Sequence, residues 1–205
     1  MGHAARKPTM TPEEFLAWEL AQVERHEFIE GEVYAMAGGD DRHARVTLNV
    51  AGAMNVHLRG TGCRVYSTDM RLHVASMGSY VYPDVMVTCS AADRTQRQVK
   101  SEPTLVVEVL SPSTASYDRG TKSFHYLQIP TMREIVLIDA ARRVTQIYRR
   151  HDASNWTLAQ YAPGQPVTFE SVGMSFTAEE LFADVDEDEN GGAASVTALP
   201  DAEAT

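Results

Sequence analysis

The chain is poor in cysteine, short of bases and free of long apolar runs. Its two cysteines, Cys63 and Cys89, have neither CxxC spacing nor, in 205 residues, the density of a disulfide scaffold. They read as free thiols of a reducing compartment. No run of about 18 apolar residues exists to span a membrane, and the opening MGHAARKPTM lacks the apolar segment of a signal peptide. The cytoplasm is therefore the expected location. Lys and Arg total 18 against 28 Asp and Glu, a formal charge of -10. Much of that excess is terminal: from Ala183 the chain reads ADVDEDENGGAASVTALPDAEAT, with seven acids and no base. The other 21 acids face 18 bases, a balance of -3. That speaks against a broadly basic nucleic-acid footprint but leaves room for local patches.

What is present suffices for one packed domain. Apolar residues make up 43% of the chain, and the expected division is an extension over 1–8, a single domain over 9–185 and an acidic tail over 186–205. The tail has too little apolar surface to offset the entropy of ordering and is expected to be disordered.

Thr11-Pro12-Glu13-Glu14 carries the pattern of a capping box with proline at the first helical position. Glu27 to Met36 reads as two short β segments hinged at Gly31. Asp40 and Asp41 offer a cap for a helix over roughly 41–58, with His43, Thr47, Val50, Met54 and Leu58 facing inward. Cys63 to Val74 reads as one strand. Tyr80 to Val87 and Thr104 to Leu110 are two more, separated by a polar loop over 90–103 that holds Arg94, Arg97 and Lys100. A helix over 115–128 follows. Strands over 134–139, 143–148 and 157–161 and a short helix over 178–182 complete the chain. Helices between runs of strands predict an α/β or α+β fold, a mixed sheet flanked by helices.

Two acids stand out. Asp84 lies in YVYPDVMV and Glu108 in TLVVEVLSP, runs that are otherwise apolar. An ionised carboxylate there is costly unless a cation or donors compensate it. If the two strands are neighbours, the carboxylates converge, and with the Val109 carbonyl they form an oxygen-only donor set suited to Mg²⁺ or Mn²⁺ rather than Zn²⁺. Asp118, Lys122 and Tyr126 recur at i, i+4 and i+8 on the following helix. An ammonium beside such a metal orients water and offsets charge on a phosphate.

The segments HEFIEGEVYAMAGG, GCRVYSTDMRL, YVYPDVMVTC, VVEVLSPSTASYDRGTKSFHYLQIP and REIVLIDA occur in that order between about Thr9 and Val185. Together they resemble the Uma2 family of bacterial "putative restriction endonucleases", within the PD-(D/E)XK nuclease superfamily. The resemblance implies a restriction-endonuclease-like core with flanking helices and added β strands. It makes Pro83-Asp84 the motif that names the superfamily and Glu108 the second acid. The triplet here is Glu108-Val109-Leu110, so the strand lacks the usual lysine. In the family the next helix supplies it, and Lys122 in DRGTKSFHY fits. His43, and Glu27 or Glu32, also stand at positions common in the family, and His43 or Glu27 is expected to face the metal.

The implied activity is Mg²⁺- or Mn²⁺-dependent hydrolysis of DNA phosphodiester bonds by Asp84, Glu108 and Lys122. Its rival is a nuclease-fold module that binds nucleic acid or protein without turnover, and RNA is a further substrate to weigh. Two-fold symmetry is a simple way to cut two strands, so a homodimer is expected. Taken one at a time, these residues also have plain structural readings. Lys122 with Asp118 is a helix-surface pair worth about 0.2–0.5 kcal/mol. Asp69 is read as a partner of Arg71, Tyr126 as core packing, and Arg94, Arg97 and Lys100 as a solvated loop rather than phosphate contacts.

Overall fold

A computed structural model describes residues 10–36 and 38–186. The extension over 1–8 and residues 187–205 of the tail lie outside the described residues. In chain order the elements are α1 (Pro12–Glu19), β1 (His26–Ile29), β2 (Glu32–Ala35), α2 (Asp41–His57), β3 (Arg64–Ser67), β4 (Arg71–Val74), β5 (Ser79–Val81) and β6 (Val85–Thr88). Then come α3 (Ala91–Thr95), β7 (Val99–Lys100), β8 (Leu105–Leu110), α4 (Ala115–Tyr117) and α5 (Ser123–Leu127). The last are β9 (Glu134–Asp139), β10 (Val144–Arg150), β11 (Trp156–Tyr161), β12 (Val167–Phe169), β13 (Met174–Phe176) and α6 (Ala178–Leu181).

Local chemistry sets the helix starts. Thr11 Oγ1 accepts the Glu14 N–H at 3.2 Å while the Glu14 carboxylate accepts the Thr11 N–H at 2.8 Å, the reciprocal bonds of a capping box. The Asp40 carboxylate accepts the His43 N–H at 2.9 Å and starts α2. Glu30 and Gly31 take φ of 53° and 84°, the primed turn that matches strand twist in a two-residue hairpin.

Two sheets form a mixed α/β architecture. One has the strand order β2-β1-β5-β4-β7 and the other β11-β10-β9-β8-β6-β3; β12 and β13 form a separate hairpin. All pairs are antiparallel except β4–β7 and β8–β9. The second sheet is covered on both faces. Val46, Val50 and Met54 of α2 pack on Val85, Val87, Leu105, Val107 and Val109. Tyr126, Ile129 and Met132 pack on Met86, Val106, Leu110, Ile135 and Leu137, joined by Leu72 and Val81 of the first sheet. All six residues of β8 are buried, as expected of a central strand.

The connections depart from the sequence-based expectation in four places. Cys63 to Val74 is not one strand: the chain turns after Ser67, so β3 and β4 belong to different sheets. Tyr80 to Val87 is likewise divided, with β5 in the first sheet and β6 in the second. Pro83 has no N–H for a ladder and sits in the crossing. The loop over 90–103 contains α3 and β7, and Lys100 is buried, its ammonium donating to the Asp93 carbonyl at 2.7 Å. The helix over 115–128 is interrupted by a π turn, Asp118–Lys122.

Cys63 and Cys89 are disulfide-bonded rather than free. Arg64 pairs with Thr88 across β3 and β6, so the antiparallel register carries Cys63 opposite Cys89, with Cα atoms 4.0 Å apart. Strand register, invisible as spacing, made the pair. The inference of a reducing compartment loses its premise. No helix among the described residues is long and apolar enough to cross a membrane.

Candidate functional site

The crossing between the sheets builds the site. Val85 pairs with Val107, so the next register position places Asp84 opposite Glu108. Glu108 shares a sheet face with Val106 and Leu110 and is almost wholly buried. Asp84, just before β6, has its Oδ2 held by the Val109 N–H at 2.7 Å and by His43 Nε2 at 3.1 Å. A residue's N–H and carbonyl leave a strand on the same side, so the Val109 carbonyl faces the Pro83 position, which has no N–H to offer it.

Lys122 enters from the π turn. Its Nζ lies 2.8 Å from Glu108 Oε1, 3.1 Å from Glu27 Oε1 and 3.7 Å from Asp118 Oδ1, and donates to the Tyr82 carbonyl at 3.3 Å. The π turn widens the helix where Asp118 and Lys122 both point inward, a local irregularity of the kind found at working sites. Glu27, on buried β1, accepts the Tyr82 N–H at 2.8 Å and the Tyr117 hydroxyl at 2.9 Å. Tyr126 is core packing as read, and its hydroxyl also donates to Glu108 Oε1.

The charges do not balance. Four carboxylates, Glu27, Asp84, Glu108 and Asp118, gather around one buried ammonium and one imidazole. Burial first, then the proximity of Asp84, Asp118 and Glu27, pushes the Glu108 carboxyl well up despite Lys122. Burial likewise raises Asp118, with Lys122 and a Thr114 hydrogen bond opposing and Asp84 and Glu27 adding. Burial alone would depress Lys122, but Glu108 and Glu27 outweigh it, so the side chain stays an ammonium. For His43, burial is outweighed by the hydrogen bond and charge of Asp84, and its pKa rises.

The residues present fit a hard divalent cation. A surplus of buried oxygen donors is short of positive charge, and Mg²⁺ needs only one or two protein carboxylates beside its waters. Among the described residues no three His, Cys, Asp or Glu side chains are arranged to hold a metal. Asp84 and Glu108, with the Val109 carbonyl, ask for no third side chain.

Of the expected residues, Asp84, Glu108, Lys122, His43, Glu27 and Asp118 come together. Glu32 does not join them; its carboxylate accepts the Tyr34 hydroxyl at 2.8 Å. Asp69 is exposed and pairs with Arg25 rather than Arg71, whose Nε donates to the Tyr82 hydroxyl. Tyr117 was not anticipated. Its signal was a tyrosine one residue before Asp118, whose hydroxyl would need a partner if buried.

Residues 12–179 match the family described as "Uma2: Putative restriction endonuclease". Two relatives come from Synechocystis sp., both named as uncharacterized proteins. One, slr1290, is 34% identical over 85% of this chain and 92% of its own length; the other, sll1609, is 34% identical over 74% and 86%. A crystal structure titled as a "putative nuclease belonging to DUF820" from Anabaena variabilis matches with a TM-score of 0.70. It is 18% identical and covers 84% of this chain and 97% of that one, a likeness of fold. With more than three quarters of its length matched, the chain belongs to the Uma2 family of putative restriction endonucleases.

Proposed function

We propose that this protein is a divalent-metal-dependent endonuclease that hydrolyses DNA phosphodiester bonds. The observation that carries the reading is the buried surplus of carboxylates around Lys122, a donor set lacking the positive charge that would balance it. Family membership favours the same chemistry.

Asp84 and Glu108 would hold Mg²⁺ or Mn²⁺, with the Val109 carbonyl as the third protein donor. The ion, when bound, supplies Lewis acidity toward the phosphoryl group and makes a water more acidic. Lys122 is an ammonium, so its part is to donate: it orients the attacking water and offsets charge on the phosphate rather than accepting a proton. Glu27 positions Lys122 and is itself fixed by Tyr82 and Tyr117. His43 holds Asp84 from the α2 side, and Asp118 steadies Lys122 from the same turn.

Purified protein incubated with supercoiled plasmid and Mg²⁺ or Mn²⁺ is expected to nick it, and Asp84→Ala is expected not to. A folded wild type that cleaves no plasmid with either ion would instead assign the chain to nuclease-fold modules without turnover.

A further inference from the structure

Two clefts of the described surface lie away from the carboxylates. Where α2 ends and β3 begins, a cleft of about 370 Å³ is lined by Leu58, Arg59, Gly60, Cys63, Arg64 and Tyr66, among others. A second lobe of about 350 Å³ shares Gly60, Cys63 and Arg64 and adds Gly62 and Arg94. No Asp or Glu lines either lobe. In a chain of formal charge -10, that is a local reversal of sign.

The arginines are held differently. Arg94 lies on the Gly62 loop and donates to the Gly62 carbonyl at 3.0 Å. A Cβ at Gly62 would meet that guanidinium at 2.7 Å, and Gly62 has φ of 87°, so the backbone there admits only glycine easily. Arg59 and Arg64 are exposed, and among the described residues neither makes an ion pair. Cys63, which lines both lobes, is tied to Cys89 by the disulfide.

The cleft lies along β3, the edge strand of the second sheet. Ser67 of β3 pairs with Val85, beside Asp84, and Arg64 pairs with Thr88. Arg64 lies three residues along β3 from Ser67, about 10 Å, whereas the length of α2, about 25 Å, separates Arg59 from the His43 end, and Arg94 reaches the Gly62 loop beyond Arg64. One strand of a duplex covers about 10–25 Å in about three to seven nucleotides.

We propose that the Arg59–Arg64–Arg94 cleft seats phosphates of the DNA backbone several nucleotides along the strand from the scissile bond held at Asp84 and Glu108. The proposal rests on the nuclease reading above and adds where the substrate strand runs. The anionic carboxylate pocket repels DNA until it is neutralised, so the affinity must come from elsewhere on the surface. A guanidinium cleft without acids supplies it through charge-assisted hydrogen bonds to phosphate oxygens.

The test is fluorescence anisotropy of a labelled DNA duplex with full-length, oxidised protein. It uses the Asp84→Ala background without divalent ions, so that nothing is hydrolysed. Arg59→Ala/Arg64→Ala is expected to weaken binding about ten-fold or more and to make the salt dependence shallower by about two. Arg59→Lys/Arg64→Lys is expected to keep most of the salt slope. Equal affinity and slope in the alanine pair would overturn the proposal, as would absence of DNA binding in the background protein. If the alanine pair fails to fold, Arg59→Gln/Arg64→Gln carries the same comparison. Because binding is read without cleavage, an inactive enzyme that still loses DNA through these arginines would contradict the nuclease reading alone.

Discussion

Lys122 is the residue on which the site's charge depends. Its ammonium is buried among Glu27, Glu108 and Asp118. Removing one partner of a buried ion pair leaves the other charge uncompensated, at about 3–5 kcal/mol. Lys122→Met is therefore expected to lower the urea-unfolding free energy by about that much; a loss under about 1 kcal/mol would show that protonated acids already carry the balance. A second buried group sits outside the site. His125 is fully buried, its ring nitrogens have no hydrogen-bond partner among the described residues, and Glu30 Oε1 is 3.8 Å away. Burial lowers its pKa below 6.5, and Glu30 only partly opposes. The folded state thus binds fewer protons than the unfolded one in the interval below 6.5. The associated stability is present above 6.5 and is lost as pH falls toward the depressed folded value. His125→Phe is expected to flatten this part of the stability–pH curve by at most about 1.4 kcal/mol per pH unit; an unchanged slope would place the proton elsewhere.

Elements bring these residues together, and α2 illustrates how finely. Gly39, just before the helix cap, lies against His43 so closely that a Cβ would overlap the imidazole. Gly39→Ala is expected to push His43 off Asp84 and to lower plasmid nicking to the level of His43→Ala, with the melting temperature near wild type. Wild-type nicking by Gly39→Ala alongside a slow His43→Ala would separate the two. At the other end of α2 the disulfide ties the edge strand. Its reduction is expected to cost about 2–4 kcal/mol, read as a lower unfolding midpoint with dithiothreitol that Cys63→Ser/Cys89→Ser reproduces without it. The sequence showed some of this arrangement and hid the rest. Helix starts at Thr11 and Asp40 were legible because capping is local. Asp84 and Glu108 were legible because acids in apolar strands are conspicuous. Glu27 carried the same signal in HEFI but served only as an accessory until β1 placed it on Lys122. The breaks at Ser67–Arg71 and Tyr82–Asp84 were hidden because a strand that changes sheets keeps its apolar pattern. The disulfide and the arginine cleft depend on which strands pair, which spacing does not record.

The whole molecule is a negatively charged body with one inward cluster of acids at the ends of β6 and the central strand β8 and one outward cluster of arginines at the far end of the edge strand β3. A cation that binds only the folded chain stabilises it by mass action, about 2.7 kcal/mol at a concentration 100 times the dissociation constant. Mn²⁺ is accordingly expected to raise the melting temperature of the wild type and not of Asp84→Ala; equal shifts in both would locate binding elsewhere. The most direct test of the central claim is anomalous diffraction from crystals grown with Mn²⁺. A single strong peak coordinated by Asp84 and Glu108 is the predicted result. A map without that peak, with Lys122 still bridging Glu108 and Glu27, would contradict the account.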